Sequence, residues 1–305
     1  MGMMNKLERL LLFGIMVFLT GACSIMKSAT PTPTVIPTAT ATITPVPSPT
    51  PTPQPVVAYV NGIGISSEDF DTVRENFREA LTEINGSEPD KETLKETTFD
   101  WFLGELLFES AATKNGITVS DEDIESRLNK AIENAGGEEG FTTWLNNHHY
   151  TREGFIRTLR REAAAVGMRQ LLIDQTLVNV EQIYAYMIRT DTHTEANQIK
   201  TKLDMGLNFV QLAKSNDPVT GGDLDWVARG VMVEPVLEEA LFALEPGSYT
   251  DIIETENGFF LLYAAQRSTE QPLSLQTRQI LEKNLLRSWV EQQKTQAEIS
   301  FTDLY

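Results

Sequence analysis

Cysteine, histidine and positive charge are scarce in this sequence. One cysteine, Cys23, and three histidines occur among 305 residues. A single cysteine excludes an intrachain disulfide and a zinc site built from several cysteines. The 43 acidic residues outnumber 25 Lys and Arg and give a formal net charge of −18. Nucleic acid is therefore not expected as a partner, because its phosphates bind basic surfaces.

The signatures of common catalytic and metal sites are also missing. The chain contains no Walker loop, no G-x-S-x-G elbow and no H-E-x-x-H helix. His148 and His149 lie in a short polar turn, without Cys, Asp or Glu at the spacing of metal ligands. His193 lies in a polar run before a helix. We therefore expect neither a metal ion nor a cofactor.

The apolar run near the N-terminus is too short to be a stable membrane span. It covers Leu10 to Thr20 and follows Lys6 and Arg9, whereas a spanning helix needs roughly 20 apolar residues. This pattern is typical of a signal peptide, predicted here over residues 1–22. Leu19–Cys23 (LTGAC) resembles a bacterial lipobox, although Thr20 stands where that motif usually has Leu. A diacylglycerol on Cys23 would anchor the chain to the outer face of the cell membrane. An ordinary secretory signal with an incidental cysteine is the alternative.

A Thr/Pro-rich segment follows, predicted as a linker over residues 23–55. Nine of the chain's 14 prolines lie between Pro31 and Pro55. This composition cannot bury a core and favours extended polyproline II geometry. We expect a disordered spacer that holds the folded part away from the membrane.

Residues 56–179 show mainly helical periodicity after one strand pair. Val56–Val60 and Ile63–Ile65 are strand-like and flank Asn61-Gly62, a hairpin signal. Ser66 and Ser120 are predicted N-caps, each with Asp three residues later. Long helices are predicted over Lys91–Asn115 and Thr151–Leu177.

From Glu181 to Arg267 the spacing changes to a mixture of strands and helices. Strands are predicted at Gln182–Ile188, Tyr249–Glu254 and Phe259–Ala265, and Gly221–Trp226 is predicted as a Gly-rich turn into a short strand. Helices are predicted at Glu195–Leu203, Asn208–Ser215 and Pro235–Leu244. A last helix, Leu275–Ala297, precedes a strand at Glu298–Phe301.

Three sequence segments, in the order in which they occur, resemble those of one protein family. VAYVNGIGISSEDF and ATKNGITVSDEDIESRL are similar to the opening of SurA/PrsA-type foldases, and FVQLAKSNDPVTGGDLDWVARGVMVEPVLEEALFALEPG resembles a parvulin-type (PpiC) peptidylprolyl isomerase module. The resemblance implies an α+β protein: a discontinuous, mainly helical SurA-N-like chaperone domain with an inserted parvulin-like domain. It places the isomerase at 180–268 and the helical domain at 56–179, completed by 270–305. The helix and strand of 269–305 are expected to pack on the N-terminal module.

The resemblance also implies site residues. Parvulins seat the proline ring in an apolar pocket, here matched by Met232, Leu237 and Phe242. The Asp/Cys position matches Asp217. The paired floor histidines are both absent, and their positions are matched by Tyr186 and Phe260. The alternative is a purely structural role, in which the apolar and aromatic residues fill a core and Asp217 with Pro218 only forms a turn.

The implied function is assistance to folding of exported proteins by peptidylprolyl cis-trans isomerisation, weak because the histidines are missing. Its partners would be unfolded or proline-containing exported polypeptides. The alternative is a non-catalytic peptide-binding chaperone or holdase with a degenerate isomerase module. A third reading is a surface lipoprotein that serves as a scaffold.

Overall fold

The computed structural model describes residues 54–305. The predictions for the signal peptide, for Cys23 and for the linker up to residue 53 lie outside the described residues. The chain divides into two compact units. The first contains the residues up to Met168 together with Gln296–Tyr305, and the second contains Arg169–Thr295.

A three-stranded antiparallel sheet brings the two ends of the first unit together. Strands β1 (Val56–Val60) and β2 (Ile63–Ser66) form the predicted hairpin. Asn61 and Gly62 both have positive φ, 50° and 81°, as a type I′ turn requires. The C-terminal strand β8 (Ile299–Phe301) pairs with β1 and gives the order β2-β1-β8. The helical domain is therefore discontinuous in sequence.

Five helices follow the hairpin. They are α1 (Ser67–Asn85), α2 (Lys91–Lys114), α3 (Asp121–Asn134), α4 (Glu138–Asn147) and α5 (Arg152–Thr176). Both predicted serine caps are present. Ser66 Oγ accepts from the backbone N–H of Asp69, and Ser120 Oγ accepts from that of Asp123, each at 3.1 Å. These bonds satisfy N–H groups that the first helical turn leaves without an intrahelical partner.

Aromatic rings connect the C-terminal residues to the first unit's helices. Phe301 lies 4.9 Å from Phe99 on α2 and 4.1 Å from Tyr305, measured between ring centroids. Tyr305 also contacts Phe70 on α1. The last residues of the chain thus take part in the packing of its first helices, as the resemblance implied for the terminal strand.

The second unit is an antiparallel sheet with helices on both faces. Its strands are β3 (Gln182–Thr190), β4 (Asp223–Ala228), β5 (Ser248–Tyr249), β6 (Ile253–Thr255) and β7 (Gly258–Ser268). Its helices are α6 (His193–Asp204), α7 (Phe209–Asn216), α8 (Pro235–Phe242) and α9 (Leu275–Lys294). The strand order is β4-β3-β7-β5, with β6 also on β7.

Two features of the second unit differ from the expectation. The single strand predicted at Tyr249–Glu254 is two short strands, β5 and β6. Between them the Thr250 hydroxyl accepts from the N–H of Leu262 at 3.0 Å, so a side chain replaces a ladder bond. The helix α9 was expected on the N-terminal module but groups with the second unit. There Leu281 is buried near Gly230, and the Asn284 amide donates to the Gly230 carbonyl at 3.0 Å.

None of the helices within residues 54–305 combines the length and the apolar character of a membrane span.

Candidate functional site

An apolar cluster fills the space between helix α8 and one face of the second unit's sheet. Leu237 and Phe242 enter it from α8, and Phe260 enters it from β7; each is about 4 % exposed. The other buried members come from β3, β4, α8 and β7: Ile183, Ala185, Val227, Leu241, Leu262 and Ala264. All nine buried members are apolar, so the interior of this cluster provides shape and burial but no proton donor or acceptor.

The loop before α8 adds Met232 to the cluster's partly exposed margin, together with Met187. The Glu238 carboxylate on α8 holds this loop. It accepts from the backbone N–H of Gly230 at 2.9 Å and from that of Met232 at 3.2 Å. The structure thus brings Met232, Leu237 and Phe242 together. Their role in seating a proline ring stays a prediction.

Tyr186 and Phe260, which match the positions of the two missing histidines, lie on opposite faces of the sheet. Phe260 belongs to the cluster under α8. Tyr186 packs on the opposite face, in the cluster of Ile188, Phe209 and Leu261. On β3, Met187 lies across from Leu262 and Arg189 lies across from Phe260, so these β3 residues share the face of Phe260 and Tyr186 does not. A shift of one residue reverses the face of a strand side chain, so the expectation that Tyr186 shares a face with Phe260 is corrected, and Met187 lies on that face instead.

A signal for Met187 was present in the sequence. Ile183, Ala185 and Met187 alternate along β3 and all pack under α8. Such alternation places residues i, i+2 and i+4 on one face. Tyr184 and Tyr186 occupy the other face, with ring centroids 5.7 Å apart. There the Tyr184 hydroxyl donates to Asp223 at 2.8 Å, which raises the pKa of Tyr184 above its ordinary value.

The carboxylate of Asp217 is occupied by its own turn. Asp217 caps the C-terminus of α7 and accepts from the backbone N–H groups of Val219 at 3.0 Å and Thr220 at 3.2 Å. The Thr220 hydroxyl also donates to it. These hydrogen bonds, the Thr220 side chain foremost, lower the pKa of Asp217. The arrangement favours the turn reading of Asp217 over a catalytic one.

Two arginines lie beside the C-terminal end of α8. The Arg229 guanidinium lies 4.2 Å from the centroid of the Phe242 ring. Arg267 donates to the backbone carbonyls of Phe242 at 2.9 Å and Leu244 at 2.7 Å, and its Nη1 contacts Glu181 at 2.5 Å. Cations near a helix C-terminus interact favourably with its exposed carbonyls. These contacts fix the position of Phe242.

The first unit contains a buried ionic network of residues that lie far apart in the sequence. Asp69 is 6 % exposed and accepts from Arg157 at 2.6 Å and from Arg161 at 3.1 Å. The carboxylate of Glu109 lies 3.6 Å from Arg161 Nε, and its burial raises the pKa of Glu109. These residues lie on three helices, so no local sequence pattern indicates that they meet.

No group of three or more His, Cys, Asp or Glu side chains within residues 54–305 is arranged to hold a metal ion.

Comparison with known proteins identifies two families along the chain. Residues 36–169 match the model of the SurA-like N-terminal domain, and residues 157–268 match that of the PPIC-type PPIase domain. The foldase protein PrsA of a Geobacillus species is 27 % identical over 65 % of this chain and 74 % of its own length. A PrsA of Exiguobacterium sibiricum is 24 % identical over 74 % of this chain and 79 % of its own.

Among solved structures, a peptidylprolyl isomerase (PrsA) from Bacillus cereus is similar with a TM-score of 0.40 and 21 % identity. The similarity covers 76 % of this chain and 82 % of that one.

Proposed function

Since the chain is of the SurA/PrsA type, with a SurA-like N-terminal domain and a PPIC-type peptidylprolyl isomerase domain, we propose that it binds unfolded, proline-containing exported polypeptides and assists their folding, with weak prolyl isomerisation. The observation that carries the proposal is the apolar site of Met232, Leu237 and Phe242 over Phe260. Binding a proline ring needs an apolar surface of matching shape, and burial of apolar area supplies the free energy, about 25 cal/mol per Å².

Weak turnover follows from the composition of the site. Rotation of an X–Pro bond breaks no covalent bond, but it must cross a barrier of about 20 kcal/mol. An apolar site lowers this barrier by removing water from the polar planar amide. Met187 and Phe260 supply that environment and no hydrogen bond, while Asp217 is engaged by Thr220. We therefore expect slower exchange than in parvulins with a histidine pair.

A short peptide with one central proline tests both parts of this proposal. The full chain should bind it, and cis-trans exchange should be measurable by NMR exchange spectroscopy but slow. Met232→Glu should weaken binding about tenfold or more, because the partly exposed margin of the site would carry a charge. Asp217→Ala should change binding and turnover little. Turnover that disappeared in Asp217→Ala would show that the acid acts on the substrate.

A non-catalytic holdase is the second candidate, and the absence of an ionisable side chain among the buried members of the apolar cluster favours it. Suppression of aggregation by a denatured client without any exchange above the uncatalysed rate would support it. If the chain neither bound proline peptides nor suppressed aggregation, both functions would fail.

The location is also proposed, as the extracytoplasmic face of the cell membrane, with a lipid on Cys23. The support is the short apolar run that ends in Gly21-Ala22-Cys23. Cys23→Ala should release the protein from membranes or leave it unprocessed. Lipid labelling that persisted in this variant would contradict the assignment.

A further inference from the structure

Arg189 lies on the same sheet face as the apolar site and next to its floor. It is the partner of Phe260 across the β3–β7 ladder, two residues along from Met187. Residues opposite each other in an antiparallel pair point to the same face, and Phe260 packs under α8. The Arg189 side chain is 52 % exposed. The structure therefore places an arginine beside Phe260, on the sheet face that carries the apolar cluster.

A chain of hydrogen bonds holds Arg189 in this position. Its Nε donates to the backbone carbonyl of Asn257 at 2.8 Å, and its Nη2 contacts Asp191 at 2.9 Å. The Asn257 side chain in turn donates to Glu234 at 2.7 Å, and Glu234 caps α8 two residues after Met232. The β6–β7 turn thereby connects Arg189 to the loop that carries Met232. These two contacts engage two of the guanidinium's five N–H donors.

The backbone of Gly258, next to Asn257, packs closely against β3 at Thr190 and Arg189. Gly258 has a φ of +124°, and a Cβ at this residue would lie 2.7 Å from the Thr190 carbonyl oxygen and 3.4 Å from Arg189 Nε. Glycine adopts such a φ without steric cost. The turn thus approaches the arginine closely from one side, while the other side of the side chain faces solvent at the end of the strand.

A hydrogen-bond donor at this position can assist rotation about an X–Pro bond. In the planar X–Pro bond the nitrogen lone pair is delocalised, whereas in the twisted form it is localised and accepts a hydrogen bond. A donor that bonds only the twisted form lowers the barrier, since interactions stronger in the transition state accelerate a reaction.

Resting on the function proposed above, we infer that Arg189 is a catalytic residue which donates a hydrogen bond to the prolyl nitrogen of a bound client as the X–Pro bond twists. No bond is formed or broken, and the proton stays on the guanidinium. An arginine is charged at every pH at which the protein is folded. Residual isomerisation should therefore be nearly independent of pH between about pH 6 and 9, where a histidine catalyst would titrate.

The test uses the full chain, a proline peptide and three variants. Arg189→Gln should lower kcat about tenfold or more, the loss expected for one hydrogen bond to a charged group. Its peptide Kd should stay within about twofold, because the apolar site is intact. Arg189→Lys should restore part of kcat. Arg278→Gln is the matched control, because Arg278 is an exposed arginine of α9 paired with Glu282, and it should behave as the unaltered chain.

The possible outcomes separate this inference from the proposed function. Unchanged kcat in Arg189→Gln would overturn the catalytic role, as would a parallel loss of affinity and turnover or a pH profile with a midpoint near 6.5. Peptide binding without any exchange above the uncatalysed rate would overturn the role of Arg189 and leave the binding function standing. Absence of peptide binding by the unaltered chain would overturn both. Near-ultraviolet circular dichroism of each variant identifies a loss of folding.

Discussion

The backbone N–H of Met187 on β3 donates a hydrogen bond of 2.8 Å to the carbonyl of Gly222. The Gly-rich turn before β4 therefore lies directly against the strand that carries Met187, at the margin of the apolar site. Gly222 has a φ of +67°, and a Cβ on it would clash with the Met187 carbonyl oxygen. The contact between Gly222 and Met187 therefore affects both the conformation of this turn and the position of Met187.

Gly222→Ala should destabilise the second unit by about 2 kcal/mol or more, because the left-handed conformation and the clash both penalise a side chain. The control is Gly206→Ala. Gly206 is also left-handed, at +89°, but a Cβ there meets no atom within 4 Å, so only the conformational cost of about 1 kcal/mol is expected. Urea unfolding of the two variants gives the comparison. Equal losses would show that the contact with Met187 relaxes at no cost.

Asp69→Ala should be the most damaging single change in the first unit's ionic network. Asp69 is 6 % exposed, and its removal takes from Arg161, itself 8 % exposed, the carboxylate that it contacts at 3.1 Å. Breaking a buried ion pair on one side costs about 3–5 kcal/mol. Asp71→Ala is the control, because the Asp71–Arg74 pair is exposed and is expected to contribute less than about 1 kcal/mol. Comparable urea midpoints for the two variants would contradict this prediction.

Glu109→Gln should stabilise the first unit at neutral pH. Burial is the main cause that raises the pKa of Glu109, the nearby Glu105 raises it further, and Arg161 lowers it without reversing the shift. A carboxyl whose pKa is higher in the folded state favours unfolding once it is ionised. The gain in unfolding free energy from Glu109→Gln should therefore be complete above the pKa of Glu109 in the folded protein. It should vanish as the pH falls to about 4.5, the ordinary pKa of a glutamate.

Unfolding free energies at several pH values between 4 and 8 check this prediction. Glu96→Gln, at an exposed position of the same helix, should show no such dependence. A Glu109→Gln variant that is less stable than the unaltered chain at pH 7 would mean that the attraction to Arg161 exceeds the cost of burial.

Glu238→Ala should weaken peptide binding without unfolding the second unit. The Glu238 carboxylate accepts from the N–H groups of Gly230 and Met232, so its loss frees the loop that places Met232. Hydrogen bonds to charged groups contribute about 1.5–3 kcal/mol, and a fraction of that should appear as a higher peptide Kd. Glu239→Ala, on the exposed side of the same helix, is the control. Equal affinity of the two variants would show that the loop is held by other contacts.

The sequence by itself determined the features that depend on a few neighbouring residues. Asn61 and Gly62 indicated a hairpin, and Ser66 and Ser120 indicated helix starts; all are present. These signals are reliable because left-handed φ angles and cap hydrogen bonds are satisfied within about four residues. The order of such local phrases was also enough to indicate the SurA-like domain and the PPIC-type domain.

Only the tertiary structure decided which side chains meet. Met187 rather than Tyr186 shares the face of Phe260, because the register of β3 on β7 decides which side chains of the strand point to that face. The ionic network of Asp69 joins residues about 90 positions apart. The role inferred for Arg189 depends on its position across the sheet from Phe260. Such relationships depend on strand register and helix packing, which are fixed by long-range contacts rather than by any local sequence.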